Sequence, residues 1–176
     1  MSGPLHTVHV RVTDAATGRP TPVRLRITDA EGNYYAPFGR LTEFATGPNQ
    51  DVGGNLLWGT RPCAYVDGAC EVNLPAGPLR VEIHKGPEYR PLHADVTLGT
   101  GQIALRFTVE RWANLRAEGW FPGDARCHFL APHAALLEAQ AEDLAVVNLL
   151  VTPCEVVDPF QRVVPALPNL LAFSGQ

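Results

Sequence analysis

Five arginines offer the most legible chemistry in the chain. Arg11, Arg24, Arg26, Arg80 and Arg106 each take the polar position of an apolar–polar alternation. If several share a sheet, they form a basic patch for an anionic glycan or an acidic partner. Glu82 and Glu110 can instead balance them as an ordinary solvated face, and that plainer reading is preferred. His9, His84 and His93 can in principle meet around a metal, but they come from separate strands without ligand spacing. Trp58, Trp112 and Trp120 suit either a carbohydrate platform or, more commonly, a core or a seam between units. No nucleophile elbow, phosphate-cradling glycine loop or Cys-x-x-Cys pair is present. Cys63 and Cys70 flank Asp67-Gly68. A two-residue hairpin there sets Tyr65 opposite Cys70 and Cys63 opposite Val72. The two thiols then sit diagonally, ~7–8 Å apart, where a disulfide needs ~3.8 Å. Both are expected to be reduced.

Those side chains must be positioned by strands. The chain has 176 residues, 45% of them apolar, with a net charge of −4. That is a globular composition for one ordinary domain, or one small domain and part of another. A pI near 5.8 gives no reason to expect nucleic-acid binding. The 16 glycines and 16 prolines are scattered, as turns between short strands require, and they exclude a helical bundle. Met1-Ser-Gly-Pro leads straight into a strand-like run, with no basic-then-apolar leader, and no apolar stretch approaches ~20 residues. A cytoplasmic protein without a membrane segment is expected, secretion remaining open if a leader was removed.

Alternation with period two predicts four strands. Val8, Val10 and Val12 alternate with His9, Arg11 and Thr13. Val23, Leu25 and Ile27 alternate with Arg24, Arg26 and Thr28. Leu79, Val81 and Ile83 alternate with Arg80, Glu82 and His84. Ile103, Leu105, Phe107 and Val109 alternate with Ala104, Arg106 and Thr108. Weaker strands are expected over residues 64–66, 69–74 and 92–98, and residues 34–60 read as a long loop. About seven short antiparallel strands suit two packed sheets. The stretch Asp14-Ala-Ala-Thr-Gly18-Arg-Pro20-Thr-Pro22 through Asp29-Ala-Glu-Gly32, with Cys70-Glu-Val-Asn-Leu74-Pro-Ala-Gly77-Pro-Leu-Arg-Val81, resembles the transthyretin-like, carboxypeptidase-regulatory-type β-sandwiches. The resemblance spans residues 7–110 and implies a fold more than a function.

After Trp112 the pattern changes to strand, helix, strand. Residues 123–130 suit a strand. Pro132 suits a first helical turn, and Ala134 to Leu144 is rich in helix formers, with Leu136, Leu137, Ala141 and Leu144 on one face. Residues 145–151 form a nearly continuous apolar run, as in a strand covered on both faces. The fold expected is therefore mainly β: a transthyretin-like sandwich over residues 5–111, then a partial α/β (βαβ) segment with a Pro-rich, irregular end over residues 112–176.

Gly119-Trp120-Phe121-Pro122-Gly123-Asp124-Ala125-Arg126-Cys127-His128 is similar to the Gly-Asp-x-His-x-His opening of the catalytic barrel in the CehA/McbA-type, PHP-like metallohydrolases, many of which carry an N-terminal β-sandwich. In that family two histidines at i and i+2 share a strand face and enter one metal sphere, where a bound water becomes hydroxide. Asp124 and His128 match, but Arg126 stands where the first histidine belongs. Arginine stays cationic and has no lone pair to donate. His128 is therefore either a remnant ligand in a site rebuilt from other residues or a structural histidine in a degenerate site, and the second reading is preferred. Asp124 and Arg126 share a strand face on this reading, so an ion pair is available to them. No catalytic residue is assigned and no cofactor is expected. Zinc, manganese or iron enters only if the remnant site works.

A full barrel takes ~250 residues, and 64 follow Trp112. The leading expectation is a non-catalytic N-terminal portion of such a hydrolase, with the sandwich as docking or substrate-presenting module and most of the barrel missing through truncation. One alternative is a stand-alone sandwich that binds protein or glycan. Another is a small active metallohydrolase using His128, Asp124 and His133, completed by a partner chain. The apolar 145–151 strand and the helix before it predict self-association unless the rest of a barrel covers them.

Overall fold

The computed structural model describes residues 4–38, 55–128, 132–150, 154–157 and 163–166. The chain is mainly β, and most of its strand pairings are antiparallel. Leu5–Asp14 (β1) lies between Ala69–Pro75 (β5) and Ala104–Val109 (β8) in a three-stranded sheet. A five-stranded sheet has the order β3-β4-β2-β6-β7. Its strands are Val23–Asp29 (β2), Asn55–Trp58 (β3), Arg61–Val66 (β4), Gly77–His84 (β6) and Leu92–Leu98 (β7). The alternating valines explain β1: Val8, Val10 and Val12 are at most 1% exposed, while His9 and Arg11 face outward. They join Leu25 and Ile27 of β2 and Val81 and Ile83 of β6 in one core drawn from both sheets. Each such side chain contributes roughly 1.5–3 kcal/mol on burial.

Four expectations for this part are corrected. β1 pairs with β5 antiparallel but with β8 parallel, so the first unit is not purely antiparallel. It contains eight strands, because β3 forms inside the stretch read as a loop and pairs with β4, while Tyr34 bridges to Thr28. Residues 39–54 of that stretch lie outside the described residues. Asp67-Gly68 makes no hairpin, since β4 and β5 belong to different sheets and the turn passes between them. Cys63 and Cys70 therefore lie on different sheets. Gly68 has φ +101, and a Cβ there would run into the Thr21 amide and the Pro20 ring, so only glycine makes this passage. Ile103 precedes β8 and is 66% exposed, although the alternation assigned it to the core.

Downstream, Leu115–Glu118 form a single 3-10 turn, followed by strand Gly123–His128 (β9), helix Pro132–Ala141 (α1) and strand Val146–Leu150 (β10). β9 and β10 pair in parallel. The buried face of the helix is rotated from the one expected, keeping Ala141, with Leu137 and Leu144 half-buried, and turning Leu136 outward. Ala134, Ala135 and Ala141 are at most 5% exposed, while Leu136 is 49% exposed. β10 is not covered on both faces among the described residues, since Val146 is 62% exposed. The Pro-rich end is also more regular than expected: Cys154–Val157 (β11) and Val163–Ala166 (β12) pair antiparallel, with Pro165 opposite Glu155. Among the described residues no helix is long and apolar enough to cross a membrane.

Candidate functional site

A cluster of buried polar side chains lies where α1 packs over β2 and β4. Small alanines let the helix approach the sheet closely, and charged residues just past its last turn complete the contact. Glu142 Oε1 lies 2.8 Å from Arg24 Nη1 and accepts a hydrogen bond from the Tyr65 hydroxyl at 2.9 Å. The Arg24 contact is an ion pair without hydrogen-bond geometry at Nη1. The Arg24 guanidinium also stacks 4.0 Å from the centroid of the Trp58 ring. Lys85 Nζ donates to the carbonyls of Pro22 at 3.0 Å and Gln140 at 2.7 Å. A cation thus meets the carbonyl-rich C-terminus of α1. Burial lowers the Lys85 pKa, and nearby Asp143 works in the opposite direction. Gly86, at φ +58, lies so close under the Glu142 carbonyl that a Cβ would collide with it.

A second branch of the seam starts at Asp143, whose backbone is left-handed at φ 55. Its carboxylate meets Arg111 Nη2 at 2.7 Å and Arg116 Nη2 at 3.4 Å, and Arg116 also donates to the Asp143 carbonyl at 2.6 Å. Arg111 Nη1 donates to Glu88 at 2.7 Å, and Arg111 Nη2 donates to the Tyr89 hydroxyl at 3.2 Å. Tyr89 in turn donates to Asp14 at 2.8 Å. Burial opposes ionisation of Asp14, but the Tyr89 hydroxyl and the amides of Thr17 and Ala16 outweigh it and hold the carboxyl below its usual range. One turn before Glu142, Glu138 has the reverse environment: burial, then the charge of Glu142, pushes it up to about 7. Burial also raises the Cys127 thiol, with Asp124 and Glu138 adding to the effect. A thiol raised in this way stays neutral and is a poor nucleophile near neutral pH. The arrangement clamps a helix to a sheet; it does not activate a nucleophile.

The strand that carries Asp124, Arg126 and His128 departs from simple alternation. Asp124 is aligned with Val147 and Cys127 with Leu149, so three residue steps on β9 span two on β10. The extra residue is a bulge at Ala125–Arg126, where the Ala125 carbonyl accepts from the Asn148 side chain at 3.1 Å. Period-two parity from Asp124 therefore passes to Cys127, and the expectation that Asp124 and Arg126 share a strand face is corrected. Asp124 and Arg126 are exposed, and the Asp124 carboxylate accepts from the Arg126 amide at 2.8 Å. His128 is aligned with Leu150 in the backbone ladder; its side chain, like that of His133, lies outside the described residues. Among the described residues no group of three or more His, Cys, Asp or Glu side chains is placed to hold a metal. The guanidinium of Arg126 offers no lone pair to a metal at that position.

The arginines divide between the two sheets. Arg11 and Arg106 are exposed neighbours on β1 and β8. Arg24 and Arg26 were expected to face solvent; instead Arg24 is 8% exposed and Arg26 is half-buried. Arg26 donates to Glu82 at 3.0 Å, and Arg61 donates to the same carboxylate. Burial opposes the charge on Glu82, but hydrogen bonds from Arg61 and Arg26 hold its carboxyl low. Arg80 lies 3.8 Å from Glu82. The physical reason is coverage: β2 is central in its sheet, and α1 packs on the face that its polar residues occupy. The histidines also divide. His84 and His93 meet edge-on with ring centroids 5.5 Å apart, whereas His9 is on the other sheet, 3.2 Å from Glu71. Trp112 and Trp120 are exposed on the segment leading to β9, and the Trp112 indole donates to the Pro87 carbonyl at 3.0 Å. Sequence reasoning missed Tyr65, Lys85, Arg111, Glu142 and Asp143. Their one local signal is charge placed directly after an element, at Lys85 following β6 and Glu142-Asp143 following α1. No protein-family model matches this chain, and no curated protein matches it.

Proposed function

We propose that this chain is a non-catalytic N-terminal portion of a metal-dependent hydrolase-like protein of the CehA/McbA type. Its two sheets act as a transthyretin-like sandwich that docks and presents a βαβ segment from the start of a degenerate barrel. The observation that carries this reading is the seam. Arg24 with Glu142, Lys85 with the end of α1, and Arg111, just past β8, with Asp143 attach the β9–α1–β10 segment to the two-sheet unit through buried charge. A parallel strand pair with a helix between suits the opening of a larger parallel sheet. Exposed Leu136 and Val146 offer surface on which further barrel strands or a second copy would sit. Arg126 supports the non-catalytic part of the reading, because it removes a metal donor. The test is the size of the native polypeptide in its source cells. Peptides that continue past Gln176 into further strand–helix units are the expected result. A native polypeptide of 19.1 kDa would overturn the proposal and leave a stand-alone sandwich that binds protein or glycan.

A further inference from the structure

We infer that the outer face of the three-stranded sheet is a binding site for a single oxyanion, a phosphate, sulfate or carboxylate group, gripped by Arg11 and Arg106. These two residues are directly aligned in the parallel ladder between β1 and β8. Their backbones are therefore about 4.8 Å apart, and their side chains rise from the same face. Both are exposed, and neither has an ion-pair partner among the described residues. Like charges directly opposite each other destabilise a sheet. Two unpaired guanidiniums in that relation are a cost to the fold that an anion would relieve.

The shape around them agrees with the charge. Arg11 and Arg106 line an open groove of about 380 Å³. Ala69, aligned with Arg11 on β5, and Ala104, one rung below Arg106, are short, which leaves room between the longer side chains. One rung above the arginines, the hydroxyls of Thr13 and Thr108 lie 3.3 Å apart on the same face, so the neighbouring rung is polar and carries no charge. The groove holds one opposing charge, Glu71, and His9 lies 3.2 Å from its carboxylate. A planar guanidinium presents paired N–H donors that match two oxygens of one oxyanion, so two adjacent arginines can share a tetrahedral or planar anion. This site lies on the other sheet from the seam with α1 and does not depend on the hydrolase reading.

The test is titration of the full chain with inorganic phosphate, followed by calorimetry and by thermal unfolding, with sodium chloride holding ionic strength constant so that general screening is removed. Parallel titrations use sulfate and acetate. Saturable binding is expected, weakened about tenfold or more in Arg11→Gln and in Arg106→Gln, since each removes charge-assisted hydrogen bonds. Glu71→Gln is expected to tighten binding, and Arg90→Gln, which removes an exposed arginine away from the groove, is expected to leave it unchanged. Without ligand, Arg106→Gln is expected to unfold at the same temperature as the parent or higher, because a like-charge contact is gone. Preference for phosphate and sulfate over acetate assigns the site to ester oxyanions, and the reverse preference assigns it to carboxylates. Absence of saturable binding, or equal binding by the parent and Arg106→Gln, would overturn the inference.

Discussion

Replacing Glu142 with glutamine isolates the contact on which attachment of α1 depends. The carboxylate faces Arg24 at 2.8 Å and accepts from Tyr65 at 2.9 Å, with the Arg24 side chain 10% exposed and that of Glu142 24% exposed. Glutamine keeps the shape and an acceptor for Tyr65 but leaves a buried guanidinium without its counter-charge. Removing one partner of a buried pair costs about 3–5 kcal/mol, and the partial exposure of Glu142 brings the expectation below that range, to about 2–3 kcal/mol. Removing both charges, in Arg24→Met with Glu142→Leu, is expected to recover most of that loss, because the penalty comes from the orphaned charge. Amide hydrogen exchange localises the effect. In Glu142→Gln the α1 amides should lose protection while those of β1, β2 and β6 keep theirs, since the core between the sheets is untouched. Urea unfolding gives the magnitude, with tryptophan fluorescence as probe because Trp58 stacks on Arg24. A single substitution that shifts stability by less than about 0.5 kcal/mol, the size of an ordinary surface change, with α1 protection unchanged, would refute the reasoning.

Four further outcomes are expected. Glu138 titrates at about 7 in the folded chain against 4.5 in an unfolded one. Between those values the unfolded state has lost a proton that the folded state keeps, so the contribution of Glu138 to stability is fullest below about pH 4.5 and is lost as pH rises through 7. The loss is at most roughly 3 kcal/mol, and denaturation of Glu138→Gln across that range should show a flatter profile. Gly86→Ala forces a side chain onto the Glu142 carbonyl at a positive φ, and should cost about 1–3 kcal/mol, seen as faster hydrogen exchange in α1. Elemental analysis of protein purified without chelator should find no stoichiometric metal. About one zinc, manganese or iron per chain, lost in His128→Ala, would overturn this, and Arg126→His alone should restore little binding because a single added imidazole does not complete a ligand sphere. Light scattering should show the 176-residue chain self-associating through the surface around Leu136 and Val146, with Val146→Glu reducing it; a monomer at every concentration would mean that surface needs no partner.

The strands are legible wherever apolar and polar residues alternate, whether or not the polar face is later covered. Alternation at Val8–Val12, Val23–Ile27 and Leu79–Ile83 is a local property, because the period of two is set by backbone geometry alone. Strand β3 was not legible, since Asn55–Trp58 is too short for a period to appear. The turn at Asp67-Gly68 carries the chemistry of a hairpin, yet it passes between sheets, because the partners of β4 and β5 are chosen by distant residues. The apolar face of α1 misled for a related reason. Periodicity places Leu136 with Ala141 on the buried side, but contact with the sheet buries Ala134, Ala135 and Ala141 and leaves Leu136 out, and that choice follows from the sheet the helix meets.

Arg11 and Arg24 make the division plain. Both occupy the polar position of a valine-rich alternation, and nothing within either strand distinguishes them. β1 leaves that face open, so Arg11 stays in solvent beside Arg106; β2 has α1 packed over it, so Arg24 is desolvated and bound to Glu142, 118 positions away in the chain. The substitution of a metal donor at Arg126 was readable from residue type alone, because no environment gives a guanidinium a lone pair. The bulge that shifts the parity of β9 was not, because it exists only in the register with β10. Which residues alternate, and which chemistry each side chain can perform, follow from residue order and type. Tertiary structure alone decided which faces are covered and which charges meet, because coverage and pairing depend on segments far apart in the chain.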